Sequence, residues 1–224
     1  MTASPGPAVW LAKGTHTSPD EGMCLLELVA RELGQKHTAR PEGVSPVLTR
    51  MGGALNDALP DEARQRLAPL RFDLPGTDGD GLDDARAWMA TDWLARVWLP
   101  AWLDLVPAGR PHAEVLRGLP PVLDATAARR AEPVVAAARA AARATARAIP
   151  KDAAWAAAWA AAWSAAWAVA WAARAAVEAA EAAAEAAAEV AHVSGVDLQP
   201  TIDELQLSAI ELYGRMARLG RAAS

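Results

Sequence analysis

From Ala153 to Ala173 the chain reads AAWAAAWAAAWSAAWAVAWAA, an uncharged stretch in which Trp155, Trp159, Trp163, Trp167 and Trp171 recur at every fourth residue. Alanine has the strongest intrinsic helix preference, and residues four apart lie on one side of a helix. The stretch therefore predicts α-helix. It belongs to a longer alanine-rich region whose every-fourth residue passes from arginine (Arg139, Arg143, Arg147) to tryptophan and then to glutamate (Glu181, Glu185, Glu189). Ile149-Pro150 divides this region, because proline lacks the donor a helix interior needs and disfavours a helical residue before it. Helices are expected over 131–148 and 151–193. At ~1.5 Å per residue the second is about 65 Å long.

The rest of the composition points the same way. With one Phe, one Tyr, 16 Pro, 15 Gly and few β-branched residues, the 224-residue chain favours helices with sharp stops over strands. We read the fold as all-α. A multi-helix orthogonal or bundle body, residues 1–125 with 197–224, carries a long Ala/Trp-rich hairpin, 131–194, inserted before the last helix.

Local signals place the body's helices. Ser18-Pro19-Asp20-Glu21 offers a capping serine, a first-turn proline and a glutamate able to close a capping box, so a first helix is expected from there to Gly34. Ser45-Pro46 starts a second, with Leu48, Met51, Leu55 and Leu59 as its apolar stripe before Pro60. Pro60-Asp61-Glu62 opens a short third helix with Leu67 inward. The turn-rich acidic loop 73–81, DLPGTDGDG, precedes a helix over Leu82 to Leu99 bearing Trp88, Met89, Trp93, Val97 and Trp98, which Pro100 breaks or kinks. His112 to Leu119 forms a short helix between Pro111 and Pro120. In the last helix Leu205, Ala209, Leu212, Met216 and Leu219 form a stripe that needs a partner, either the body or a second copy.

The tryptophan ladder has a definite angular spread. Each four-residue step advances ~40° around a helix, so five indoles sweep a band about 160° wide. Glu181, Glu185 and Glu189 fall at nearly the angles of Trp163, Trp167 and Trp171. One side of the helix thus passes from apolar to charged, as expected if its first half is covered by protein. Each indole buries ~150 to 250 Å², and five in water exceed the ~300 to 600 Å² patch a monomer tolerates. The cover is the body itself, another copy or a protein partner. Arg139, Arg143 and Arg147 are read as a solvated face, with stacking on the indoles as the alternative.

Other classes are disfavoured. A net charge of −5 with dispersed arginine, and glutamates beside the aromatics, argue against a nucleic-acid partner. The run 153–173 has the length of a membrane span, but alanine is weakly apolar and tryptophan prefers the interface, so membrane insertion is not expected. The N-terminal sequence MTASPGPAVWLAKGTH lacks the pattern of a secretory signal. A single cysteine, Cys24, forms no intramolecular disulfide and fits a reducing compartment, the cytoplasm.

Chemistry is concentrated near the start of the chain. Cys24 and Glu27 share a helix face, and His16 lies in the loop before them. Thiolate, imidazole and carboxylate are competent ligands for zinc or another divalent metal. Alternatively Cys24 is a nucleophile near a helix N-terminus with His16 as its base. The plain alternative is that Cys24 is core, His16 a loop hydrogen-bonder and Glu27 a partner of Arg31 four residues on. His37, Asn56 and Asp57 have the right chemistry to join this site, but nothing in the sequence brings them there. Asp78 and Asp80 are read as loop solvation and helix N-terminal charge, since Met89 stands where a calcium loop needs its closing glutamate.

The strings GTHTSPDEGMCLLELVARELG, VSPVL, LNDALPDEARQRL and DWLARVWLPAWLDL resemble a family of uncharacterised helical proteins from actinobacteria and their phages, over roughly residues 9–120. The family's His, Gly-Met-Cys and Glu pattern corresponds to His16, Gly22, Met23, Cys24 and Glu27. Arg40-Pro41 departs from it where an aspartate precedes the proline. The resemblance implies a boundary for the helical body and no activity. The functional expectation is a protein acting by self-association or partner binding through its Ala/Trp helix, with a small metal- or thiol-dependent enzyme centred on His16, Cys24 and Glu27 as the alternative.

Overall fold

The computed structural model describes residues 10–105, 107–146 and 197–221. The tryptophan ladder and the helix expected over 151–193 lie outside the described residues. Within them the protein is all-α, with no strand.

The first helix, α1 (Leu25–Glu32), starts later than Ser18 suggests. Residues Ser18 to Glu21 instead form a turn, with the Glu21 N–H donating to the Ser18 carbonyl at 3.2 Å. The Glu21 carboxylate is taken by the N–H and hydroxyl of Thr17. Gly22, at φ +137°, then breaks any continuous helical path. The effective cap lies beyond it: Cys24 is the N-cap, and Glu27 reaches back to the Cys24 N–H at 2.8 Å. This is a capping box with cysteine in place of serine.

Helix α2 (Pro46–Ala58) begins where Ser45-Pro46 predicts, the serine hydroxyl accepting from the Leu48 N–H. Helix α3 (Asp61–Arg64) runs directly into a 3₁₀ segment, Gln65–Phe72, with Leu67 fully buried. Helix α4 (Asp83–Trp93) continues through a π turn, Leu94–Trp98, into α5 (Leu99–Leu103). The break expected at Pro100 is absent. A proline ring collides with the carbonyl four residues back in a regular helix; the wider π turn, in which the Leu99 N–H donates to the Leu94 carbonyl, accommodates it.

Helix α6 (Arg110–Arg117) leads to α7 (Ala125–Ala146). The latter begins at Ala125 rather than 131, because Asp124 caps it through the Ala127 N–H at 2.8 Å. Onset of low complexity and onset of helix are different events. The buried residues Ala128, Ala131, Val135 and Ala138 form the face that α7 sets against the body. Packing on α6 follows from that face.

Helix α8 (Gln199–Ala217) fills the centre of the body, packed on α2, α4 and α5. Leu205, Ala209, Leu212 and Met216 are buried as their spacing predicts, together with Ile210, Tyr213 and Ala217. The Tyr213 hydroxyl donates to the Leu48 carbonyl at 3.0 Å, and its ring lies over Gly52, where a Cβ would overlap the hydroxyl. Trp93, Trp98 and Trp102 complete the core with Leu25, Leu28, Leu48, Leu55 and Leu103. Full burial stabilises each such leucine by roughly 1.5 to 3 kcal/mol.

A buried arginine ties the acidic loop down. Arg86 is wholly inaccessible and donates to the Met216 carbonyl at 3.1 Å, to Asp80 at 2.9 Å and to Asp83 at 3.2 Å. Asp83 also accepts a short hydrogen bond from the Ser45 hydroxyl. Asp80 is thus more than loop solvation: the Arg86 guanidinium holds its carboxyl below the usual range. One side chain joins the loop, the start of α4 and the end of α8.

Candidate functional site

Glu27 is the centre of the site. It lies in the first turn of α1, is 1% exposed and accepts from three directions. The His16 N–H donates to Oε1 at 2.7 Å, the His16 imidazole to Oε2 at 2.8 Å through Nδ1, and the Cys24 N–H to Oε2 at 2.8 Å. A carboxylate can only accept, so Nδ1 carries a proton and Nε2 is the ring nitrogen not engaged by Glu27. Burial raises the Glu27 pKa, but the hydrogen bonds from His16 and Cys24 more than offset it and hold the group below its ordinary value.

His37 arrives from the loop after α1. Its Nε2 stands 3.7 Å from Glu27 Oε1, too far for a hydrogen bond, and is buried with no hydrogen-bond partner among the described residues. Two imidazoles therefore face one buried carboxylate. Glu21 lies on the exposed side, where His16 and His37 both contribute to keeping its carboxyl below the ordinary range, after the larger effect of the Thr17 hydrogen bonds. Glu27 does not pair with Arg31, which instead lies 3.8 Å from Glu32. Burial of Glu27 puts its carboxylate on the side away from that arginine.

Cys24 contributes differently from a nucleophile. It is 3% exposed, and burial pushes its thiol up to about 11, so the thiol stays protonated at neutral pH. Its backbone N–H, rather than a thiolate, meets Glu27. His16 is linked to Cys24 through the carboxylate. Among the described residues no three His, Cys, Asp or Glu side chains converge in a metal-binding arrangement.

The segment carrying His16 is held by side chains along its length. Gln65 brackets Leu11, accepting from its N–H at 2.7 Å and donating to its carbonyl at 3.0 Å. Asn56 donates to the Ala12 carbonyl at 2.9 Å while accepting from the Leu25 N–H at 3.1 Å. Asp57 accepts from the Gly14 N–H at 2.8 Å. The Ala12 N–H reaches the Met23 carbonyl at 2.8 Å. Gly22 lets the His16 ring close over it: a Cβ there would come within 3.0 Å of Nε2.

Of the residues singled out by sequence, His16, Cys24 and Glu27 meet as one cluster. Asn56 and Asp57 join through the backbone they hold, and His37 through Glu27. Gln65 went unrecognised, since a lone glutamine in a short helix carries no local signal for a contact with Leu11. No protein-family model matches the chain, and neither a curated protein nor a solved structure is found to be similar to it.

Proposed function

We propose that the protein acts by association, with the alanine–tryptophan stretch 153–173 as its binding element and the helical body as its anchor. One observation carries this reading: five tryptophans share an uncharged run of the sequence, more apolar surface than a monomer keeps in water. Two features of the body are in keeping with it. The core already contains Trp93, Trp98 and Trp102, and α7, seated on the body through Ala128, Ala131, Val135 and Ala138, precedes the ladder in the sequence. The partner is a second copy of the chain or another helical protein. The single thiol suits the cytoplasm, and no helix among the described residues is long and apolar enough to cross a membrane. Sedimentation of the full chain tests the reading beside a variant with Trp159, Trp163 and Trp167 changed to alanine. A self-associating wild type and a dissociated variant are expected; a monomer in both, with no partner lost on substitution, overturns it.

A second reading places an acid–base site at His16 and Glu27. The buried carboxylate on Nδ1 orients the imidazole and leaves Nε2 as the ring nitrogen that would meet a substrate proton. Cys24, neutral and buried, serves this reading as a backbone donor rather than as a nucleophile. Zinc or another divalent ion bound there would share the Glu27 carboxylate with the donors from His16 and Cys24. Metal analysis of the purified protein beside Glu27→Gln decides: stoichiometric metal lost in the variant supports a metal centre, and its absence from both removes it.

A further inference from the structure

We draw no further inference here: the strongest candidate, the side-chain cluster at the start of α1 in which the buried His37 imidazole faces the Glu27 carboxylate beside His16, belongs to the site already described.

Discussion

His16 is joined to Glu27 twice, by its backbone N–H at 2.7 Å and by its imidazole Nδ1 at 2.8 Å, one bond to each oxygen of a carboxylate that is 1% exposed. A loop residue is thereby fixed in both position and ring orientation by a single helical side chain. Whatever else the site does, it fastens the chain before α1 to the start of that helix.

Replacing Glu27 with alanine should cost about 3 to 5 kcal/mol, because the N–H groups of His16 and Cys24 lose a charged acceptor in the interior. Glu27→Gln keeps the volume and one acceptor oxygen and should cost less, about 1 to 3 kcal/mol. Urea denaturation at pH 7 measures both. An unchanged midpoint for the alanine variant would show that the carboxylate is not what holds the loop.

The same carboxylate sets an acid limit. Its pKa in the folded protein lies below the ordinary 4.5, so between the two values the unfolded chain binds more protons. The stability it contributes is complete above about pH 5 to 6 and is lost as pH falls through the folded value. Denaturation midpoints from pH 6 to 3 should fall more steeply for wild type than for Glu27→Gln. Parallel curves would contradict the assignment.

Cys24 should be slow to react. With the thiol pushed up to about 11, its thiolate fraction at pH 8 is about 10⁻³, against roughly a quarter for a free cysteine. Iodoacetamide should modify the native protein at least about a hundredfold more slowly than the denatured chain. Cys24→Ser, which retains an N-cap acceptor, should fold, and Cys24→Ala should be less stable than it by about 1 kcal/mol. Fast native alkylation would return the thiol to consideration as a nucleophile.

Arg86 should tolerate no shortening. Alanine there leaves Asp80, Asp83 and the Met216 carbonyl without their shared donor and should destabilise by about 3 to 5 kcal/mol. Lysine restores the charge but not the fork of donors, so Arg86→Lys should recover less than half of the loss. Thermal denaturation of the two variants compares them directly. Full recovery by lysine would mean that charge alone matters.

How much was legible depended on whether the deciding contact was local. Ser45-Pro46 and Pro60 bound α2 because a cap and a stop act within one turn. The start of α1 was misplaced because Ser18-Pro19-Asp20-Glu21 is an equally good local signal, and only the Gly22 conformation and the engagement of Glu21 by Thr17 decide against it. At Pro100, where a break or a kink is expected, the helix runs on through a π turn for a similar reason: the surrounding core buries Trp98, Leu99 and Trp102. At the site, His16, Cys24 and Glu27 are close enough in sequence for their meeting to be foreseen. His37, Asn56 and Gln65 reach it through the tertiary fold.

Sequence by itself determined that this is a helical protein, where several of its helices begin and end, which face of the last helix is buried, and that half of its tryptophans lie in one alanine-rich run. Those properties follow from propensity, capping and periodicity, which act over a few residues. Tertiary structure alone decided that Glu27 turns inward to two imidazoles instead of outward to Arg31, that Cys24 is a neutral cap, and that Gln65 and Asn56 grip the segment before α1. These outcomes depend on burial. Removing water raises the cost of an unpaired polar group, so partners are selected by position in the fold and not by spacing along the chain.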